Sequence, residues 1–362
     1  MSINKMQWII HDTILIGNPQ EYKINSNCAC FDLDGTIIKT KSGSKFMSDK
    51  DDWKFASKNV SDKLCELNNK KFSIVIFTNQ AGIKLFGIEN WKGMIENIKT
   101  QLKINIHVYA AMDYDLYRKP FPTMMNIFVK KENIMIHNDS FYCGDACGRT
   151  DDFSDSDYKF ALNCNLKFVT PENLFDGCKI FEYPQLLYKI DFRKYVRNQE
   201  FKYISMEKEI VILVGNYASG KTYFRRKYIT NKDNAGNYII VTNNISYEDI
   251  VKIIEFGKSI IVDDTNLKKN GRKKFIETAK HFGYSCRCVN FICPVSVSIH
   301  NSRYRHFASN GKKRMMSDTV LGQYKNDFEC PTIEEGFNEI IKYNFSIDKN
   351  YVDLTKYMLF LF

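Results

Sequence analysis

The sequence contains no CxxC pair, although it has eleven cysteines. Cys28/Cys30, Cys143/Cys147 and Cys286/Cys288 lack zinc-site spacing, and the six histidines fall into no metal-ligand pattern, which argues against a zinc module. Long apolar runs are also missing. The opening segment MSINKMQWIIHD has too short an apolar patch for a secretory signal, and no stretch is long enough to span a bilayer. Repeats and low-complexity tracts do not occur. These absences predict reduced thiols in a reducing intracellular compartment, with nucleus and cytoplasm undecided, and no membrane partner. Acidic residues are the minority, 42 against 52 Lys plus Arg, for a net charge of +10. A basic balance suits a polyanionic partner such as nucleic acid.

What is present is a chain of 362 residues, 44% hydrophobic and 26% charged, long enough for two ordinary domains. Apolar strand-like runs alternate with amphipathic helical stretches twice over, which predicts α/β architecture with two parallel sheets, each covered on both faces. The first pattern opens with a buried strand ending at Asp32 and continues through FSIVIFTN, INIHVYAAM and FYCGDACG. The second begins at EIVILVG and runs through NYIIVTNN, KSIIVDDTN and CRCVNFIC, with a helix TYFRRKYIT after the first strand. Between them FEYPQLLYKIDFRKYVRNQEFKYISME has no such alternation. The boundaries drawn are a first domain over 1–184, a junction over 185–206, and a second domain over 207–362 with an apolar tail.

Two short stretches carry the chemistry. In CFDLDGT, Asp32 and Asp34 lie two apart, so they project together from the end of a parallel strand, where open α/β sheets hold ligands. Paired carboxylates with hard oxygen donors suit Mg²⁺ bound together with phosphate. In VGNYASGKT, the run Gly215, Asn216, Tyr217, Ala218, Ser219, Gly220, Lys221, Thr222 satisfies GxxxxGK[ST] between a strand and a helix. Its amides would cradle the phosphates of ATP, Lys221 would reach the β and γ phosphates, and Thr222 would ligate Mg²⁺. Asp263, ending SIIVD, is the natural acidic partner. Arg303 and Arg305 in HNSRYRHF stand where a lid would bring positive charge to a transferring phosphoryl group.

The first pattern resembles the haloacid dehalogenase-like phosphatases, in DxDGT at Asp32 and Asp34, Thr78 in VIFTNQ, Lys119 in YRKP and Asp145 in CGDACG. That resemblance implies a Rossmann-like fold and a specific division of labour. Asp32 attacks phosphorus and Asp34 serves as acid and then base. Thr78 and Asn79 hold phosphate, and Lys119 offsets charge. Mg²⁺ is held by Asp32, Asp145 and the main-chain carbonyl of Asp34. Asp151, Asp152 and Asp157 are equal candidates for a further acidic partner acting through water.

Phosphatase followed by P-loop kinase is the order of the animal-type polynucleotide kinase 3′-phosphatases. LYRKP, DFSDSDYKFALNCNLKFVTPE, DDTNLKKNGR and ECPTIEEGF are similar to that family's sequence. The implied activity is hydrolysis of 3′-phosphates at DNA strand breaks, with transfer of the ATP γ-phosphate to 5′-hydroxyls. The implied partners are such DNA ends, with RNA ends and a repair ligase as further candidates. One departure stands out. The family has an Arg-Asp pair after the second strand of its kinase domain, and its Asp accepts the proton of the 5′-hydroxyl. Here the matching positions are Asn243 and Asn244, and an amide cannot take that proton. The expectation is a working phosphatase with a weak or silent kinase, unless Glu248 or Asp249 substitutes. Two rival readings are a second domain that binds ATP or DNA ends without catalysis, and a phosphatase of free nucleotides.

Overall fold

The computed structural model describes residues 5–44, 47–178, 190–196, 201–230, 236–348, 350 and 352–361. The chain divides into two compact units, Met1–Lys189 with Leu359–Phe362, and Ile190–Met358. Of the junction expected over 185–206, residues 185–189 and 197–200 lie outside the described part. Residues 190–196 group with the second unit, where the Phe192 ring packs tilted against His300 and edge-on against Tyr357. The tail divides, since Leu359–Phe362 group with the first unit. There the main chain of Phe360 exchanges two 2.7 Å hydrogen bonds with the Asn163 amide.

The first unit contains strands β1 (Met6–His11), β2 (Ile14–Pro19), β3 (Cys28–Phe31), β4 (Ile38–Thr40), β5 (Trp53–Phe55), β6 (Ser73–Asn79), β7 (Ile106–Ala111), β8 (Phe141–Cys143) and β9 (Lys167–Val169). Seven of them form one sheet in the order β1-β2-β7-β6-β3-β8-β9, and β4 and β5 make a separate hairpin. The pairs β7/β6, β6/β3, β3/β8 and β8/β9 are parallel, as the alternating pattern requires. The expectation of a purely parallel sheet whose first strand ends at Asp32 is corrected at its edge, because β1 and β2 add on antiparallel. A two-residue turn at Asp12–Thr13 joins them. Gly17 on β2 leaves room for the Trp8 ring, which a Cβ there would approach to 2.4 Å.

Burial on both faces explains the continuous apolar runs of the central strands. Along β6, Ile74 and Ile76 enter the core layer with Trp91, Ile95 and Ile98. Val75 and Phe77 point the other way, onto Phe128 and Phe160. The helix Ile88–Leu102 presents Trp91, Met94, Ile95, Ile98 and Leu102 on one face at helical spacing. Phe77→Ala would open a cavity among three aromatic rings and cost about 3–5 kcal/mol.

The second unit contains β10 (Glu209–Val214), β11 (Tyr238–Val241), β12 (Ser259–Asp263), β13 (Ser285–Ile292) and β14 (Glu339–Asn344), all parallel in the order β11-β12-β10-β13-β14. The helix expected over 222–230 is α-helical only over Lys221–Phe224 and continues as a π-helix over Arg225–Ile229. Widening the ladder re-aims the residues that follow the P-loop, and Arg225 Nε sits 3.0 Å from Asp263. In both units the central strand has neighbours reached by crossovers in opposite directions, β6 and β8 around β3, β12 and β13 around β10. A crevice opens at the carboxyl end of such a strand, and both motifs lie there. Among the described residues no helix is long and apolar enough to cross a membrane, and all eleven cysteines are free thiols.

Candidate active sites

β3 ends at Phe31, so Asp32 emerges at the crevice of the first unit and is buried. Lys119 Nζ donates to Asp32 Oδ1 and Asp157 Oδ1, each at 2.6 Å, and to Tyr142 Oη at 2.9 Å. Burial pulls this ammonium down, but the fields of Asp157 and Asp32 outweigh it and hold it above the ordinary lysine value. Asn79 fixes where Lys119 sits. Its Oδ1 accepts from Lys119 N at 2.8 Å and its Nδ2 donates to Lys119 O at 3.3 Å. That places the Asn79 side chain on the lysine main chain rather than on the phosphate it was expected to hold.

Asp32, Asp145 and Asp157 bring one carboxylate oxygen each to within 4.8 Å of one another. Of the three acids left open by the sequence, this cluster contains only Asp157. Asp152 accepts from the amides of Cys147 and Arg149 and from Arg149 Nε, each at 3.0 Å, while Asp151 is exposed. Asp157 stands in the first turn of helix Ser156–Asn163, and its Oδ2 accepts from Ala146 N at 3.1 Å. The Asp34 side chain is engaged elsewhere, its Oδ2 accepting from Gln80 Nε2 at 2.6 Å. Thr78 is buried beside it and accepts from the same nitrogen at 3.0 Å.

The donor set fits a small hard cation. All three donors are carboxylates, as Mg²⁺ prefers. The walls are drawn in around them, since a Cβ at Gly35 would lie 2.3 Å from Asp145 Oδ2 and one at Gly144 would lie 2.5 Å from the Asp157 carboxylate. The acids also need positive charge. Burial, then the opposed effects of Lys119 and the other acids, leaves Asp32 well above the carboxylate range. Burial and Asp157 push Asp145 up to about 7.

In the second unit Gly215 and Gly220 shape the loop. A Cβ at Gly215 would lie 2.8 Å from Phe291 Cβ, and Gly220 has φ +101. Lys221 Nζ donates to Gly215 O at 2.8 Å and Asn216 O at 2.6 Å. Burial lowers Lys221 to about 8, against the fields of Asp263 and Asp264. Thr222 Oγ1 donates to Asp263 Oδ2 at 3.2 Å. Asn216 Nδ2 donates to Leu321 O at 3.2 Å, and Ala218 O accepts from Asn301 at 2.9 Å. Tyr217 is exposed and Ser219 is buried in the loop.

Arg303 and Arg305 share helix Val295–Ala308. Two positions on a helix differ by about 200°, so the two leave it on different sides. The charge of Arg305 acts on Lys221, and that of Arg303 acts on His300. Asn244 is exposed beyond β11. Asp249 is tied to Ser246 at the start of helix Tyr247–Glu255, with Ser246 Oγ 2.9 Å from its Oδ2. Asp264 touches the Asn243–Asn244 segment, its Oδ2 accepting from Asn243 N at 3.3 Å. Sequence reasoning passed over Gln80 and Asp264, although each directly follows a motif residue.

Residues 27–175 match the family model described as polynucleotide kinase 3 phosphatase, and residues 231–331 match one described as an AAA domain. The chain is 33% identical over 364 residues to the bifunctional polynucleotide phosphatase/kinase of Schizosaccharomyces pombe, covering 98% of this chain and 88% of that protein. It is 34% identical over 166 residues to the polynucleotide 3′-phosphatase ZDP of Arabidopsis thaliana, covering 41% of this chain and 24% of that one. Over 209 residues it is 31% identical to a polynucleotide 3′-phosphatase of Saccharomyces cerevisiae, covering 42% of this chain and 88% of that one.

Proposed function

The chain belongs to the family of bifunctional polynucleotide phosphatase/kinases, and from that premise we propose that its first unit hydrolyses 3′-phosphates at polynucleotide ends, DNA strand breaks foremost. The observation that carries this reading is the Lys119 ammonium held 2.6 Å from both Asp32 and Asp157 at the end of the central strand. Asp32 is the nucleophile. Its carboxylate oxygen bonds to phosphorus as the bond to the 3′-oxygen breaks, and Asp34 gives that oxygen its proton. Asp34 then takes a proton from the water that cleaves the aspartyl-phosphate. Lys119 and Thr78 hold the phosphoryl oxygens, and Asn79 holds Lys119. Asp32, Asp145 and Asp157 would hold Mg²⁺, which when bound supplies positive charge against the phosphate. The second unit binds ATP on its P-loop, with Lys221 and Thr222 on the phosphates and their Mg²⁺. Its transfer to 5′-hydroxyls is weak or silent because Asn244 offers no proton acceptor.

The test is phosphate release from a 3′-phosphorylated oligonucleotide compared with a 3′-mononucleotide. The oligonucleotide is the expected substrate, and strong preference for the mononucleotide would move the assignment to free nucleotides. Asp157→Asn is expected to weaken apparent Mg²⁺ affinity by about 10–100-fold, while Asp151→Asn leaves it unchanged; Mg²⁺ titration of the rate reads both.

Mg²⁺ binding also has a pH signature. Asp145, raised to about 7 by burial and by Asp157, keeps its proton in the folded protein only below about that pH. Its stabilising contribution is complete at low pH and is lost as pH rises through that value. A divalent cation takes the proton's place, so its benefit grows as the proton leaves. Thermal unfolding is expected to show Mg²⁺ raising Tm more at about pH 8 than at about pH 5.5. Equal shifts would mean that the cation does not bind at this carboxylate.

A further inference from the structure

We propose that Gln80 is a positioning residue that aims the proton of Asp34 at the departing 3′-oxygen. The inference rests on the phosphatase reading above and adds a residue to it. Gln80 follows the last residue of β6, and its main chain is fixed from both sides. Its N–H donates to Ala111 O at 2.7 Å, and its carbonyl accepts from Ile83 N at 3.0 Å. The side chain therefore projects from a rigid base. Nε2 reaches Asp34 Oδ2 at 2.6 Å and Thr78 Oγ1 at 3.0 Å. The second bond fixes the plane of the amide, so the first has a defined direction.

The alternation of an extended segment explains why three consecutive residues do three jobs. Side chains two apart share a side, so Thr78 and Gln80 both face the Asp34 turn. Asn79 faces away and takes the main chain of Lys119. The charge-bearing lysine and the proton-bearing aspartate are thus set by neighbours on one strand end.

Asp34 needs such a partner. It sits in the turn after β3, exposed, with Gly35 at φ +78 beside it. A carboxyl group at an open rim samples several rotamers, and only some point at the phosphorus. Gln80 selects among them and also distinguishes the two oxygens. Nε2 donates to Oδ2, so the acid proton resides on Oδ1. As the phosphorus–3′-oxygen bond breaks and the phosphorus–Asp32 bond forms, the Oδ1–H bond breaks and the 3′-O–H bond forms. Oδ2 keeps its hydrogen bond from Gln80 as the carboxylate charge appears.

The leaving group separates this role from a structural one. A 3′-alkoxide needs a proton to depart, whereas p-nitrophenolate leaves without one. The quantity to compare is kcat/KM, which ends at leaving-group departure and excludes later hydrolysis of the aspartyl-phosphate. Gln80→Met keeps the shape and removes the donor. It is expected to lower kcat/KM for a 3′-phosphorylated oligonucleotide by about 10²-fold and for p-nitrophenyl phosphate by no more than about threefold. In an Asp34→Asn background, where the acid is gone, Gln80→Met is expected to cost nothing further. Equal losses on both substrates, or an additional full loss in that background, would overturn the proposal and leave the phosphatase reading standing. A wild-type protein that cleaves neither substrate would remove the phosphatase reading itself.

Discussion

Asp32→Asn is expected to reduce phosphate release from a 3′-phosphorylated oligonucleotide by about 10⁴-fold or more. The amide keeps the shape of the side chain but has no electron pair basic enough to displace an alkoxide from phosphorus. The rest of the pocket survives, because Lys119 keeps Asp157 and Tyr142 as partners. What remains is a pocket that keeps Lys119 for the phosphate but has no nucleophile. Asp32 is one of several acids crowded into a buried site, where it is raised well above its ordinary value by desolvation first. Removing it relieves that cost, so the variant should unfold at no lower temperature than the parent. The two measurements belong together, since lost activity with an unchanged Tm separates a missing nucleophile from a damaged fold. A trapped phosphoryl group on the wild-type protein, absent from the variant, would show the intermediate directly. Undiminished release by the variant would end the covalent mechanism.

Asn244→Asp is expected to raise transfer of the ATP γ-phosphate to a 5′-hydroxyl oligonucleotide by about 10²–10⁴-fold, the usual contribution of a positioned general base. The parent is expected to begin low, because on the proposed reading the P-loop is complete while an amide stands where the hydroxyl proton would be accepted. Lys221 rests on the carbonyls of Gly215 and Asn216, and Thr222 rests on Asp263; nothing in that arrangement depends on Asn244. The gain should vanish on adding Lys221→Ala, which removes the group that reaches the phosphates. Phosphatase activity should be unaffected by either change. The contrary result has a specific form. A parent protein that already transfers phosphate well, and loses the activity on Asp264→Asn, would place the base on the carboxylate beside Asn243.

Most of the scaffold was legible because its signal is local. A buried parallel strand needs an uninterrupted apolar run such as FSIVIFTN, and a covering helix needs one apolar face, as in NWKGMIENIKTQLK; both read directly from neighbouring residues. Of the edge pair β1 and β2, the first was missed because four of the six residues of MQWIIH are exposed, so no buried run marks it. β14, EIIKYN, was missed for the same reason, with one buried residue in six. The switch to π-helix at Arg225 left no local sequence signal, and the partner that Arg225 meets there, Asp263, lies 38 positions away.

The sequence by itself determined the order of the two units, the strand ends that carry Asp32 and the P-loop, and the chemical character of each site. These follow from residue type and short spacing, where periodicity and turn geometry are sufficient. Only the tertiary structure put Asp157, and not Asp151 or Asp152, in the cluster with Asp32 and Asp145, set the Asn79 side chain on the Lys119 main chain, and brought Gln80 to Asp34. Each of those outcomes concerns groups on different elements, or the direction of a side chain, and such distances are set by how the sheet and helices pack rather than by how far apart the residues lie along the chain.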